Sequence, residues 1–408
     1  MFRRPAIAPC VHTLLLVIGI ILIPPSIMSD ASGAPRLKPF TFGDLPGWRT
    51  DDHLAAIAAF GRSCSGPPRA IREDWDAHKL AEESRGVETG GFEPPDELKA
   101  ACVALEQSPP KSAEDARGFF ETFFTPHEVI PPDNARKVTG YFEPLLPGSR
   151  TRTERYRYPI YHKPDGLIAI TDANRPNGYP TELRAAYETA AGLAVPPDRA
   201  AIEEGTHGLN LQPLVWLDDP VELYFVHIQG SARIALEDGS TMRLGYAGKN
   251  GHPYASIGRE IVRRELMPLE DITAESLKHW LRENPALAAE IYPVNPSYIF
   301  FREIRGLAEQ DGPIGAEGVP LTAGRTLAVD PRFHRYGTPV FVVAALPTLP
   351  DGESQEFQRL MIAQDTGSAI RGAVRGDVFT GTGAEAGLLA GMINHPARFF
   401  VLLPREAD

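Results

Sequence analysis

Ahead of residue 140, three stretches carry apolar residues at helical spacing. DDHLAAIAAFGRSC, from Asp51 to Cys64, repeats them three and four apart behind two aspartates. PPDELKAACVALEQ does so after a Pro-Pro-Asp start, and SAEDARGFFETFF sets Ser and Asp ahead of an aromatic face. From about Lys137 the period shortens. VTGYFEPLLPG, YRYPIYHKP, GLIAITD, ELYFVHIQG and PSYIFFREI are short β-branched and aromatic runs cut by Pro and Gly, and they predict strands. ALEDGSTMRLGY predicts a hairpin turning at Asp238-Gly239. Helical segments are expected at 181–191 and 257–285. After Gly312, LTAGRTLAVDP, TPVFVVAAL, RLMIAQDTG and FFVLLP return to strands. This density implies a mainly β protein with helical segments, an α+β chain with closed or sandwiched sheets and not a parallel α/β sheet.

The N-terminus changes the compartment. Arg3 and Arg4 precede the apolar run LLLVIGIILI from Leu14 to Ile23, and small residues follow at Ala31 to Ala34. That order describes a secretory signal peptide over 1–34. The run is short for a membrane span, which needs about 20 residues. An uncleaved anchor stays open as the alternative. Cys10 precedes the apolar run, which argues against lipidation there. Removing residues 1–34 takes away Arg3, Arg4 and Asp30 and moves the net charge from −12 to −13. A balance that acidic argues against a nucleic-acid partner. Cys64 and Cys102 remain; in an oxidising compartment they suggest one disulfide, with two separate buried thiols as the alternative. No cysteine or histidine has metal-ligand spacing, no cofactor motif is present, and His227, His252, His334 and His395 read as structural. Trp216 and Trp280 read as core more than sugar platforms.

The last hundred residues carry the candidate chemistry. Asp330 in AVDP, Asp365 in AQDTGSAIRG and Asp377 in VRGDVFTG each stand at or near the end of an apolar strand and precede turn residues. Functional groups converge at such places, although aspartate also favours turns for its own backbone bonding. Thr366, Gly367 and Ser368 form a tight polar turn, and Gly376 admits close approach to Asp377. Thr380 to Gly383 extend a small-residue surface suited to an extended polymer.

These blocks resemble the membrane-bound lytic transglycosylase A (MltA) family. The resemblance rests on VTGYFEPLL, YFVHIQGSARI, GYAGKNGHPYASIGR, NPSYIFFRE, GPIGAEGVPLTAGRTLAVDP and AQDTGSAIRG…GDVFTGTGAEAGLLAG. The tail is similar to the three-aspartate (3D) domain, a double-psi β-barrel module. The resemblance implies a helical lead-in over 35–140 packed on the barrel, an inserted β-domain over 141–300, and a barrel domain over 301–408, with a substrate groove between them. It implies cleavage of the β-1,4 bond between N-acetylmuramic acid and N-acetylglucosamine in periplasmic peptidoglycan, the muramic C6 hydroxyl attacking in place of water. Asp377 matches the family's catalytic acid; Asp365 and Asp330 match the first two aspartates and would support it. Tyr141, Phe142, Glu143, Gln229 and Ser231, with Thr366 and Gly367, would line sugar subsites.

An internal hydroxyl nucleophile removes the need for the second carboxylate that most glycosidases use. One group then serves as acid and next as base. Asp365 is a candidate neighbour for Asp377, while Arg371 and Arg375 are expected to face out or to bind substrate. The 365–377 spacing departs from the family pattern by about one residue, so the loop before Asp377 differs. The partner is the glycan strand and the enzyme is expected to act as a monomer. Rival readings are a muramidase using Asp365 and Asp377 as a pair, a non-catalytic peptidoglycan binder, and an aspartic protease suggested by D-T-G, which needs two such motifs.

Overall fold

Among the described residues, a short strand, β1 (Arg36–Pro39), and three α-helices lead the chain in. The computed structural model describes residues 34–68, 96–206 and 208–405; the expected targeting segment lies, as far as Gly33, outside the described residues. α1 (His53–Ser65) begins where the Asp52 side chain accepts the Ala55 N–H. α2 (Lys99–Gln107) follows one 3-10 turn, and α3 (Ala113–Phe123) opens on a reciprocal Ser112–Asp115 capping box. Their apolar faces converge, so that Ala56, Phe60, Leu105 and Phe120 share one core with Phe341, Leu360 and Phe400 from later strands. The lead-in therefore covers a face of the main sheet. Cys64 and Cys102 are disulfide-bonded across α1 and α2, with Cα atoms 5.2 Å apart.

The chain next crosses between two sheets. β2 (Phe124–Ile130) and β3 (Lys137–Glu143) enter the first, and β4 (Leu145–Ser149) already lies in the second. The inserted region continues with β5 (Tyr158–Tyr161), a meander of β6 (Leu167–Ala169), β7 (Ala185–Thr189) and β8 (Gly192–Ala194), then α4 (Arg199–Glu204), β9 (Pro213–Leu217) and α5 (Pro220–Gln229). β10 (Ser231–Leu236), β11 (Thr241–Lys249), α6 (Ile257–Arg263), α7 (Ala274–Glu283), α8 (Pro285–Ile291) and β12 (Ile299–Ile304) complete it. Six of these strands form a sheet in the order β12-β11-β10-β4-β9-β5.

The chain then returns through β13 (Thr326–Val329), β14 (Pro339–Pro347), β15 (Ser354–Asp365), β16 (Arg375–Thr382), α9 (Ala384–Met392), β17 (Asn394–His395) and β18 (Ala397–Pro404). The resulting sheet runs β1-β2-β18-β14-β15-β13-β16-β3-β17. All four residues of β13 are buried, which fits its place between β15 and β16. The strands of the second sheet run from Leu145 of β4 to Ile304 of β12. Tyr141 and Glu143 stay on the β3 ladder against Phe379 and Thr382, and β12 pairs with β11 as far as Ile304.

Two segments adopt the opposite structure to that expected. ELYFVHIQG is the helix α5, capped by Asp219 and Pro220 at its start and by Gly230 at φ 78° beyond its end. Val221, Leu223, Tyr224, Phe225, Val226 and His227 are all buried and the most open residue is the apolar Ile228, so no polar stripe shows a helical period. Residues 181–191 hold no helix; β7 pairs with β6 and β8 there, and tertiary pairing overrides an Ala- and Glu-rich composition. The hairpin stands where its turn residues put it, with Gly239 at φ 81° between β10 and β11.

The disulfide closes a 38-residue separation that the helical core alone would otherwise have to restrain. Replacing both cysteines with alanine is expected to lower unfolding free energy by about 2–4 kcal/mol. Chemical denaturation of the two proteins reads this directly.

Candidate active site

A cleft of about 250 Å³ lies where the two sheets face each other. Gly140 and Tyr141 of β3, Ala328 of β13, Asp365 of β15, the turn 366–370 and Asp377 of β16 form one wall. The other comes from the inserted region: Gln229 and Gly230 after α5, Tyr246 and Lys249 of β11, Tyr254, Asn295 and Ser297. Register fixes the aspartates. Asp365 and Asp377 both stand opposite Ala328, one on each side of β13. Two strand spacings put their Cα atoms roughly 10 Å apart.

Asp377 is held from behind. Its register partner on β3 is Thr139, whose hydroxyl donates to Asp377 Oδ1. Arg375, two residues earlier and so on the same strand face, also reaches Oδ1 through Nη1. Arg375 Nη2 donates to Thr139 Oγ1 at 2.9 Å and closes the triangle. Among the described residues Oδ2 has no hydrogen-bond partner. Arg375 was expected to face out or bind substrate; the alternation of β16 instead folds it back onto Asp377. Arg371 bonds the carbonyls of Gly367 and Ile370 and braces the turn.

Asp365 differs from Asp377 in that donors meet both of its oxygens: the Tyr141 hydroxyl at 2.8 Å and the Ala316 N–H at 3.0 Å. Asp330 is fully buried beneath the turn. Burial pushes its carboxyl up, but Arg332 at 2.7 Å and the Gly372 N–H at 2.8 Å outweigh this and leave it below the ordinary range. Thr366 ties the same turn to β13 by donating to the Val329 carbonyl at 2.7 Å. Asp330 and Thr366 thereby shape the loop that follows Asp365. Behind Asp365, Glu317 turns its carboxyl onto Ser63 of α1, where burial pushes it up to about 8.

The structure gathers Tyr141, Gln229, Asp365, Thr366, Gly367 and Asp377 around one cleft. Glu143 and Ser231 do not join them. Ser231 is buried in β10, and Glu143 is fully buried with Arg233 Nε at 2.6 Å and Thr382 Oγ1 at 2.8 Å. Nor is Thr380–Gly383 an open surface: Thr380 donates to the carbonyls of Tyr141 and Ala386, closing β3, β16 and α9 together. His227 is buried against Arg199, Tyr298 and Phe301, where desolvation holds its pKa well below the ordinary value. Among the described residues no group of three His, Cys, Asp or Glu is placed to hold a metal ion.

Sequence reasoning missed Tyr246 and Lys249. Strict alternation would put them on opposite faces of β11. A register shift between Tyr246 and Gly248, with Gly248 at φ 158°, brings both into the cleft. The glycine inside an otherwise regular strand was the available signal.

Fold and site together define a mainly β protein with an aspartate-bearing cleft at the junction of an inserted β-region and a C-terminal sheet. Family models match on both sides of that cleft: the MltA specific insert domain over residues 137–302 and the 3D domain over 325–403. Membrane-bound lytic murein transglycosylase A of Escherichia coli (strain K12) is 32% identical over 272 residues, an alignment spanning 65% of each protein. The crystal structure of a membrane-bound lytic murein transglycosylase from Agrobacterium tumefaciens is 37% identical with a TM-score of 0.74, covering 90% of this chain and 98% of that one. MltA from Neisseria gonorrhoeae is 32% identical with a TM-score of 0.70, covering 92% and 93%. This chain belongs to the MltA family.

Glu143→Ala is expected to destabilise the protein by about 3–5 kcal/mol, because Arg233 would be left without its carboxylate at a buried junction. A thermal or denaturant melt checks this, and a loss below about 1 kcal/mol would show that the pair is dispensable.

Proposed function

We propose that this chain is a lytic transglycosylase of peptidoglycan, cleaving the β-1,4 bond between N-acetylmuramic acid and N-acetylglucosamine and leaving 1,6-anhydromuramic ends. The observation that carries the reading is the unequal environment of the two cleft aspartates. Donors meet both oxygens of Asp365, whereas Asp377 is held by Oδ1 alone and keeps Oδ2 for the glycosidic oxygen. A single acid at the bond suits an internal nucleophile and not a pair of carboxylates acting with water.

In this mechanism the strand lies across the cleft with the glycosidic oxygen at Asp377 Oδ2. Asp377 protonates the leaving oxygen as the bond to the anomeric carbon breaks. The carboxylate so formed is compensated by Arg375 and Thr139. It then takes the proton from the muramic C6 hydroxyl as that oxygen closes on the anomeric carbon. Holding the hydroxyl in a near-attack position contributes several kcal/mol by proximity. Asp365 orients Tyr141 at the rim, and Asp330 keeps the turn in place. The relatives' name, membrane-bound, supports work in the cell envelope. The basic and apolar N-terminus supports export to the periplasm.

Asp377→Asn should fold as the wild type does and still sediment with peptidoglycan, while release of anhydromuropeptides falls by at least about 100-fold. Mass spectrometry of digests reads the outcome. Turnover within about tenfold of wild type would remove Asp377 from the acid role.

A further inference from the structure

The inserted region holds a second, larger cavity of about 1200 Å³, on the far side of a shared wall. Arg199 lines the cleft, and its guanidinium lies 4.8 and 5.2 Å from the rings of Tyr224 and Tyr298, which line the second cavity. The cavity is rich in flat rings: Tyr158 and Trp216 come from paired strands β5 and β9, and Tyr292 stacks on Tyr224 at 5.0 Å. The Tyr292 hydroxyl is buried with no hydrogen-bond partner among the described residues.

The charges on this wall are unevenly matched. Asp218 is paired with Arg155, Asp219 with Arg282, and Glu203 with Arg199. Arg152 and Arg157 have no ion-pair or hydrogen-bond partner for their guanidiniums among the described residues. Each meets only a ring, Trp216 at 5.9 Å and Tyr158 at 5.6 Å. Glu204 is the one lining acid without an ion pair among the described residues. Arg152 and Arg157 are both exposed, so their N–H edges are open to a ligand. A guanidinium stacked on a ring keeps its N–H edge for bidentate contact with a carboxylate. The rings offer faces for methyl-bearing residues, and Glu204 a partner for an amine. An uncharged glycan would leave both arginines unmatched.

We propose that this cavity binds a carboxylate-bearing peptide, the stem peptide of peptidoglycan, at a site separate from the cleft. The choice of that peptide rests on the reading of peptidoglycan as substrate. The test is calorimetric titration of free stem peptide, released from peptidoglycan by an amidase, into the intact mature protein. Chitotetraose serves as the peptide-free comparison. The wild type should bind the peptide, and Arg152→Ala/Arg157→Ala should weaken it by about tenfold or more at an unchanged melting temperature. Chitotetraose binding should not change. Should the double substitution lower the melting temperature, Arg157→Lys tests the bidentate contact alone, with a several-fold loss expected and unchanged affinity contradicting it. Equal peptide affinity in the stable double variant, no peptide binding by the wild type, or equal loss of chitotetraose binding would overturn the proposal. The readout involves no cleavage, so a protein that cuts no glycan could still bind the peptide, and an active enzyme could fail to.

Discussion

The buried pair of Glu143 and Arg233 is the constraint on which the cleft depends. Glu143 ends β3 in the nine-stranded sheet, and Arg233 lies on β10 in the inserted one. The chain leaves the first sheet one residue after this glutamate, and Arg233 also grips the returning segment through the carbonyls of Glu309 and Asp311. Arg243 adds bonds to the carbonyls of Ala308, Glu309 and Asp311. Both crossings between the sheets are thus pinned at one place. Two arginines holding backbone carbonyls and one enclosed carboxylate resist hinge motion better than an exposed pair, which solvent would screen.

Within that frame, register does the fine positioning. β13 is four residues long and wholly buried, and it sets Asp365 and Asp377 level with each other on its two flanks. Asp365 ends β15 whereas Asp377 is the third residue of β16, and the two differ in what surrounds them. Tyr141 and Ala316 engage Asp365, while Thr139 and Arg375 meet Asp377 at one oxygen only. Such unequal environments let two like residues take different roles.

Much of this was legible in the sequence. The helices of the lead-in, the hairpin at Asp238-Gly239, the strand that ends at Asp365 and the strand that ends just before Asp330 announce themselves by local spacing and turn chemistry, whereas Asp377, expected near a strand end, is the third residue of β16. Helix α5 did not, because most of its residues are buried and its most open one is the apolar Ile228, which leaves no polar stripe to read. Glu143 was read as a substrate contact from the family resemblance, yet it is buried against Arg233, 90 residues away. Arg375 misled in the same way: its pairing needs the β16 alternation and the β3 register together. Tyr246 and Lys249 required a bulge that no periodicity reports. Long-range pairing and register, not propensity, decide these cases.

The central claim is that one carboxyl group suffices because the substrate supplies its own nucleophile. Digestion of peptidoglycan by the wild-type enzyme in oxygen-18 water tests it most directly. The account predicts muramic ends that are anhydro, unlabelled and resistant to borohydride reduction from the first turnovers. Labelled, reducible muramic ends as the main initial product would mean that water attacks the anomeric carbon, and would contradict it.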